Sequence, residues 1–245
     1  MPTFAERLDA AEMMDDFSIV DERLTRALDN LRAVNRFLGG YRATRTVLEP
    51  LLAARRGGTL RVLDLATGVG DYVERFVRWG AREEVAVEAV GLDINPATVA
   101  YARGALDRAL PPALRPRAHL VEGDALALPF EDGAFDVCHT ALFTHHLGNE
   151  QVVMLLREMG RVARYGLIVN DLHRHPLAYY GIAAIGAVLP VSPMFRHDGP
   201  VSVRRAFIRQ ELHALARRAG LAAYRLRWHW AFRWTLSTID PIRPA

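Results

Sequence analysis

The stretch Leu60 to Tyr72, LRVLDLATGVGDY, constrains the fold more than any other part of the chain. Its first half is apolar and β-prone, as a buried strand requires, and Asp64 stands where such a strand meets solvent. Ala66, Thr67, Gly68, Val69 and Gly70 are small or glycine almost throughout. Tyr72, Val73, Phe76 and Val77 follow at helical spacing, and Gly80 reads as the C-cap of that run. Strand, glycine turn and helix in this order form the corner of a doubly wound α/β fold on which a nucleotide or phosphate rests.

The rest of the chain repeats the alternation. Val85 to Leu92 predicts a second strand ending in Asp93, and Pro96 opens a helix running to about Ala109. His119 to Val121 predicts a short third strand leading to Asp124, and Phe135 to His139 a fourth. Glu150 to Ala163 carries apolar residues on one helical face, Gly166 to Val169 predicts a fifth strand, and Arg209 to Ala219 a further amphipathic helix. Ala222 to Trp228 and Arg233 to Thr238 read as a closing hairpin. The pattern predicts a doubly wound, mostly parallel sheet of seven strands with right-handed crossovers. Residues 1–54 read as an N-terminal helical cap: an unpatterned, mobile arm to about residue 20, then helices from Asp21 and Tyr41, the second kinked or broken at Pro50. Residues 55–245 read as the core, with a lid-like insertion at about 172–205.

Composition narrows the function classes. With 245 residues, 51% of them hydrophobic, the chain supports one sizeable core rather than two. All 31 basic residues are Arg, interleaved with Asp and Glu to a net charge of +3, which reads as a solvated surface rather than a nucleic-acid groove. The tail RWHWAFRW alternates at strand period and so divides its basic and aromatic residues between two faces. Cys138 alone excludes an internal disulfide and fits a reducing, cytoplasmic setting, and the acidic N-terminus lacks a signal-peptide core. Leu177 to Val191 is apolar on all sides but too short to span a bilayer comfortably, so no stable membrane insertion is expected. It reads as a helix that is buried against the cap, lines a lipophilic pocket or touches a membrane surface.

The turn itself narrows the ligand. A dinucleotide fingerprint needs a third glycine for close helix packing, and that position is not met; a P-loop needs Lys, and the chain has none. What remains is a glycine turn with acids at three strand ends. Asp93 is placed to accept from ribose hydroxyls, and Asp124 to meet an exocyclic amine. Singly, Asp64 reads equally as a turn cap, Asp93 as an N-cap before Asn95-Pro96, and Asp124 as a turn closer. Their order, each on a strand end, favours one shared nucleoside ligand without a bulky pyrophosphate.

The motifs DLATGVG, GLDINP, EGDALALPF and FDV resemble the successive motifs of class I S-adenosylmethionine-dependent methyltransferases, strongly over residues 60–170. In tone they are similar to the enzymes of ubiquinone and menaquinone biosynthesis and other small-molecule methyltransferases. The resemblance implies a Rossmann-like methyltransferase fold and S-adenosyl-L-methionine as cofactor. It implies that Asp64 and the backbone of Ala66, Thr67, Gly68 and Gly70 hold the methionine end. It also implies that Asp93 binds the ribose, that Ile94 lies against adenine, that Asp124 and the Ala125 amide read the adenine edge, and that Thr140 lines the floor. Ala66 stands where many members have glycine.

A sulfonium methyl is already activated, so the protein has mainly to align the nucleophile and exclude water. For a phenol or an enolisable carbon a base helps, and His145 and His146, just past the fourth strand, are the candidates. Phe143, Asp171 and His173 are the candidate substrate contacts, and His197 beside Asp198 lies in the insertion. Asp171, His173 and His175 have a permissive spacing for a metal, but no further acidic ligand stands out, so none is expected. The predicted activity is methyl transfer to oxygen or carbon of a small, lipophilic aromatic, quinone-like or polyketide-like acceptor. The alternative is a non-catalytic member that binds the cofactor as a partner or regulator.

Overall fold

The computed structural model describes residues 2–239. Seven strands, β1 (Thr59–Leu65), β2 (Ala86–Asp93), β3 (Ala118–Glu122), β4 (Phe135–Ala141), β5 (Ala163–Leu172), β6 (Arg225–His229) and β7 (Arg233–Ser237), form one sheet in the order β3-β2-β1-β4-β5-β7-β6. The first five run parallel, and β7 pairs antiparallel with both β5 and β6. The strand order reverses between β1 and β4, which opens a crevice at their carboxyl ends.

Among the described residues there are also eight α-helices: α1 (Glu22–Phe37), α2 (Gly40–Ala54), α3 (Asp71–Arg82), α4 (Pro96–Ala109), α5 (Asn149–Val162), α6 (Pro176–Val188), α7 (Pro193–Arg205) and α8 (Arg209–Arg218). One core cluster packs α5 and α8 against the sheet through Met159, Leu155, Leu212 and Leu215. The other packs α2 and α3 through Leu48, Leu52, Val73, Phe76 and Val77. Both ends of β1 take part, and Leu60, Val62, Leu63 and Leu65 are fully buried, which explains why the strand is apolar apart from Arg61 and Asp64.

Several local expectations are corrected. Gly80 lies inside α3 rather than capping it, and a Cβ there would come within 2.3 Å of Val87, so its smallness serves close helix-on-strand packing. Pro50 sits within an unbroken α2. Within the insertion, SPMFRHDGPVS forms α7: the Ser192 hydroxyl caps it by accepting from the Phe195 N–H at 3.1 Å, Pro193 opens it, and Pro200 lies within it. The apolar run of the insertion, α6, is capped by His175 Nδ1 accepting from the Leu177 N–H at 3.1 Å, yet it is not a buried core helix. Leu177, Ala178, Gly181, Ile182 and Ile185 turn one face to a cavity, while Tyr180 and Val188 are exposed. Among the described residues no helix is long and apolar enough to cross a membrane.

The N-terminal arm is seated, not free. Arg174, itself buried, donates to the carbonyls of Phe4 and Ala5. Arg7 donates to the carbonyls of His145, Leu147 and Arg205, and Arg205 to that of Ala10. The Asp198 carboxylate accepts from the N–H groups of Met13 and Met14 at 2.8 and 3.1 Å.

Candidate functional site

The three strand-end acids are held in three ways. Asp64 is buried; its Oδ1 accepts from His139 Nδ1 at 2.7 Å and its Oδ2 from the Thr67 hydroxyl at 2.6 Å. His139 meets Thr44 of α2 at 3.0 Å, and Asn170 donates to Thr44, to the Gly40 carbonyl and to the Tyr72 hydroxyl. A buried polar network of this kind is fully partnered and fixes the turn from beneath. Asp93 accepts from the Gly68 N–H at 3.0 Å and the Asn95 N–H at 3.1 Å, so it ties the glycine turn to the end of β2. Burial pushes its carboxyl up, against the opposing pull of those N–H donors. Asp124 is exposed and accepts from the Leu126 N–H at 2.8 Å.

The turn between β1 and α3 needs left-handed backbone at Ala66 (φ +51°), Gly68 (φ +55°) and Gly70 (φ +72°). Ala66 holds that conformation against a cost of roughly 1–2 kcal/mol.

Above these ends lies a cavity of about 420 Å³. Asp64, Ala66, Thr67 and Gly68 line it on the β1 side, and Asp93, Ile94, Asp124 and Ala125 on the β2 and β3 side. Two expected members stand outside the lining. Thr140 is fully buried between β1 and β4, with its hydroxyl donating to the Leu65 carbonyl at 2.9 Å, and Ala141 and Leu142 form the floor in its place. Gly70 is set back; its N–H closes the turn onto the Thr67 carbonyl at 2.9 Å. Asp71, not assigned from sequence, lines the cavity instead: its Oδ2 accepts from Tyr41 at 2.7 Å and from Asn35 at 3.1 Å, and burial raises its pKa. Its position as the acid that opens α3 was the available signal.

The wall charges test the ligand. Among the described residues, Asp15, Asp64, Asp71, Asp93 and Asp124 line this cavity and no Arg does, although all 31 basic residues of the chain are Arg. A phosphate would find no cation there. A ligand with sulfonium and ammonium charges and ribose hydroxyl donors meets acceptors on every side, so the residues fit S-adenosylmethionine.

A second cavity of about 430 Å³ adjoins the first, and Met14, Leu31, Leu142 and His146 line both. Its wall is apolar: Ala27, Leu31 and Val34 from α1, the inner face of α6, and Met194, Phe195 and Val203 from α7. Arg233, fully buried, borders it and donates to the side-chain Oδ1 atoms of Asn35 and Asn170 and to the backbone carbonyl of Leu38 at 3.1–3.3 Å; burial lowers its pKa.

At the seam stands a cluster that joins three distant segments. His145, buried, pairs through Nδ1 with Asp171 Oδ1 at 2.7 Å. His146 pairs through Nδ1 with Asp15 Oδ1 at 2.6 Å. Glu12, from the arm, approaches both rings from the far side, 3.6 Å from His145 Nε2 and 3.9 Å from His146 Nε2. Burial raises the Glu12 pKa, against the opposing charge of His146 and the hydrogen bond from Ser202. For Asp171 burial also acts upward, but His145, Thr144 and the Leu172 N–H outweigh it and hold the carboxyl below the usual range. Glu12 and Asp15 were missed from the sequence because single acids in an unpatterned arm carry no spacing signal.

The expected substrate contacts separate. Phe143 lines the first cavity and stacks on His146, with ring centroids 6.5 Å apart. Asp171 lines neither cavity; it is spent on His145, Thr144 and Leu172. His173 also lies outside both, because its Nδ1 accepts from Trp228 Nε1 at 3.2 Å and its ring packs on Trp234. Burial, with His175 and Arg174 nearby, pushes its pKa down to about 4. Asp171, His173 and His175 therefore do not converge on a metal position. His197 pairs with Asp198, whose work is to hold the arm.

Comparison with known proteins agrees with this geometry. Residues 62–166 match the family model described as a methyltransferase domain. A demethylmenaquinone methyltransferase of Roseiflexus castenholzii is 36% identical over 148 residues, covering 59% of this chain and 56% of its own length. A ubiquinone/menaquinone biosynthesis C-methyltransferase of Dinoroseobacter shibae is 27% identical over 230 residues, covering 87% of this chain and 86% of its own. The alignment thus spans little more than half of the first relative. Human N-acetylserotonin methyltransferase, solved with its cofactor, shares the fold with a TM-score of 0.63 at 17% identity, over 93% of this chain and 59% of its own. Residues 62–166 thus carry a methyltransferase domain, and the chain is similar to class I S-adenosylmethionine-dependent methyltransferases, among them those of ubiquinone and menaquinone biosynthesis.

Proposed function

We propose that this chain transfers the methyl group of S-adenosylmethionine to oxygen or carbon of a small, lipophilic acceptor of the phenol, quinol or polyketide type. The observation that carries this reading is the pair of adjoining cavities. One is acid-lined at the strand ends and the other is apolar, and they meet at Met14, Leu31, Leu142 and His146. Two ligands seated there face each other across the seam, and holding them so supplies much of what an already activated methyl group requires. The names of the relatives, which refer to demethylmenaquinone and to ubiquinone and menaquinone biosynthesis, agree with an aromatic ring in the apolar cavity.

In this reading Asp93 and Asp124 hold the nucleoside, and Asp64, Asp71 and the turn from Ala66 to Gly68 hold the methionine end. The Glu12, His145 and His146 cluster faces the acceptor, and we assign its deprotonation to that cluster. The products are the methylated acceptor, S-adenosylhomocysteine and a proton. α6, α7 and the strapped arm exclude water from the seam.

The test is a radiolabelled methyl-transfer assay over phenols, hydroxynaphthoquinols and polyketide phenols, with S-adenosylhomocysteine affinity measured by calorimetry. Turnover of apolar aromatic acceptors, with inhibition by S-adenosylhomocysteine, is expected. Cofactor binding without turnover of any acceptor would instead identify a binding-only member, and absence of cofactor binding would overturn the reading entirely.

A further inference from the structure

Three groups at the seam present free lone pairs to one another. Both histidines are held the same way: His145 Nδ1 donates to Asp171 at 2.7 Å and His146 Nδ1 donates to Asp15 at 2.6 Å. A carboxylate on Nδ1 fixes the tautomer that leaves Nε2 bare, and this is the arrangement by which proteins orient metal-binding imidazoles. Both Nε2 atoms lie beside Glu12. Glu12 is 5% exposed, its Oε2 accepts from Ser202 at 2.7 Å, and its Oε1 is buried with no hydrogen-bond partner. One ligand atom from each of Glu12, His145 and His146 lies within 4.8 Å of the others. The contacts at 3.6 and 3.9 Å are too long for hydrogen bonds.

We propose that Glu12 Oε1, His145 Nε2 and His146 Nε2 form a binding site for a divalent first-row transition-metal ion of the zinc class at the seam between the two cavities. Two imidazoles and one carboxylate are the donor set of open, three-ligand zinc sites and of facial transition-metal sites, whereas magnesium and calcium select oxygen alone. Ligand bonds near 2.0–2.2 Å require the three donors to draw together by roughly an ångström or less. The formal charge favours a dication. Glu12, Asp15, Asp171 and Asp198 surround the site, against the guanidiniums of Arg205, 3.8 Å from Glu12 Oε1, and Arg7, which binds the His145 carbonyl. His197 pairs with Asp198 on its outer side.

Such a site deepens the reading given above, and its consequence for substrate rests on that reading. Its open positions face the apolar cavity, so it selects acceptors that carry a phenolic or enolic oxygen near an apolar body. The ion also commits both imidazoles, and acceptor ionisation then depends on the ion's charge and not on a bare histidine.

The test is metal uptake by tag-free, chelator-dialysed protein with no acceptor present. Zn²⁺ is titrated by calorimetry against a chromophoric chelator, and Co²⁺ is used as a visible-absorption probe. One ion per chain is expected. Glu12→Gln and His145→Gln should each lower Zn²⁺ affinity at least 100-fold, and Asp15→Asn, which removes no proposed ligand but loosens the support of His146 and of the Glu12 backbone, by roughly 10–100-fold. His173→Gln, on the separate imidazole pair beside β6, should leave uptake unchanged. Absence of stoichiometric uptake, or uptake that survives Glu12→Gln and His145→Gln in folded protein, overturns the proposal. Should the buried variants fail to fold, an unchanged affinity in Asp15→Asn overturns it alone. Full methyl transfer in excess chelator would also refute the metal site while leaving the methyl-transfer reading intact.

Discussion

Asp171→Asn separates orientation of the seam from binding of the cofactor. Asp171 takes four donors: Thr144 Oγ1 and the His145 N–H on Oδ2, and His145 Nδ1 and the Leu172 N–H on Oδ1. An asparagine has one acceptor atom and one donor group. Placed toward Oδ1, its amide faces the Leu172 N–H; placed toward Oδ2, it faces the His145 N–H. Either way one buried backbone donor loses its acceptor, at about 1–3 kcal/mol, which lowers the melting temperature by a few degrees for a chain of this length. The larger effect is chemical. With the amide on the Oδ1 side, which leaves the Oδ2 acceptor for Thr144 and the His145 N–H, a donor stands opposite Nδ1, the imidazole proton moves to Nε2, and the lone pair that faces Glu12 disappears. That removes the group as a base and as a ligand alike. Loss of a positioned proton acceptor costs roughly 10²–10⁴ in rate, or about 3–5 kcal/mol of barrier. Asp171 lines neither cavity, so affinity for S-adenosylhomocysteine should hold within about twofold. Single-turnover methyl transfer, calorimetry and thermal denaturation read the three quantities. A variant that melts lower yet turns over at the wild-type rate would refute the reasoning.

Four further outcomes follow from the same geometry. Asp93→Ala removes the acceptor proposed for the ribose and frees the Gly68 and Asn95 N–H groups, so S-adenosylhomocysteine affinity should fall at least 100-fold; unchanged affinity in calorimetry would contradict the role given to β2. Ile182→Trp fills the α6 side of the apolar cavity and should raise KM for bulky acceptors by an order of magnitude or more while cofactor affinity stays constant. His173 is depressed in the fold to about 4 from an ordinary 6.5, so it contributes stability above pH 6.5 that is lost as pH falls toward 4. Chemical denaturation from pH 7 to 4 should show a steeper acid loss in the wild type than in His173→Gln. Deleting residues 2–16 removes Met14 from both cavities, Glu12 from the apolar one and Asp15 from the acid-lined one, and should abolish turnover with little change in far-ultraviolet circular dichroism; retained turnover would show that the arm is dispensable.

Legibility in the sequence followed the range of the interactions. The β1–turn–α3 corner was readable because strand, left-handed turn and helix are set by residues within a dozen positions of one another. Asp93 and Asp124 were readable because parallel strands return to the same edge of the sheet. Thr140 failed because period alone did not say which side of β4 faces Leu65, and Asp171 because its partner, His145, lies on another strand end. α7 was hidden by a local composition, His197 to Pro200, that favours a turn and is overridden by Ser192, Pro193 and packing of Met194 and Phe195. The arm was the least readable. It has no periodicity to find, since it is neither helix nor strand over most of its length.

That last failure has a physical cause that also bears on function. Arg174 and Arg205 hold the arm through its own carbonyls at Phe4, Ala5 and Ala10, and Arg7 ties it to the carbonyls of His145, Leu147 and Arg205. A carbonyl is present at every residue, so clamps of this kind demand little of the arm's side chains beyond Arg7. The others that matter, Glu12, Met14, Asp15 and Phe17, are those that reach the cavities. The donor side of the site is thus written into the sheet, where a changed residue disturbs the fold. The acceptor side is built from an arm and two helices tied on by arginines, where side chains facing the cavity can change while the clamps remain. A fold that keeps its cofactor and varies its acceptor requires that division, and in this chain the boundary runs along the line of Met14, Leu142 and His146.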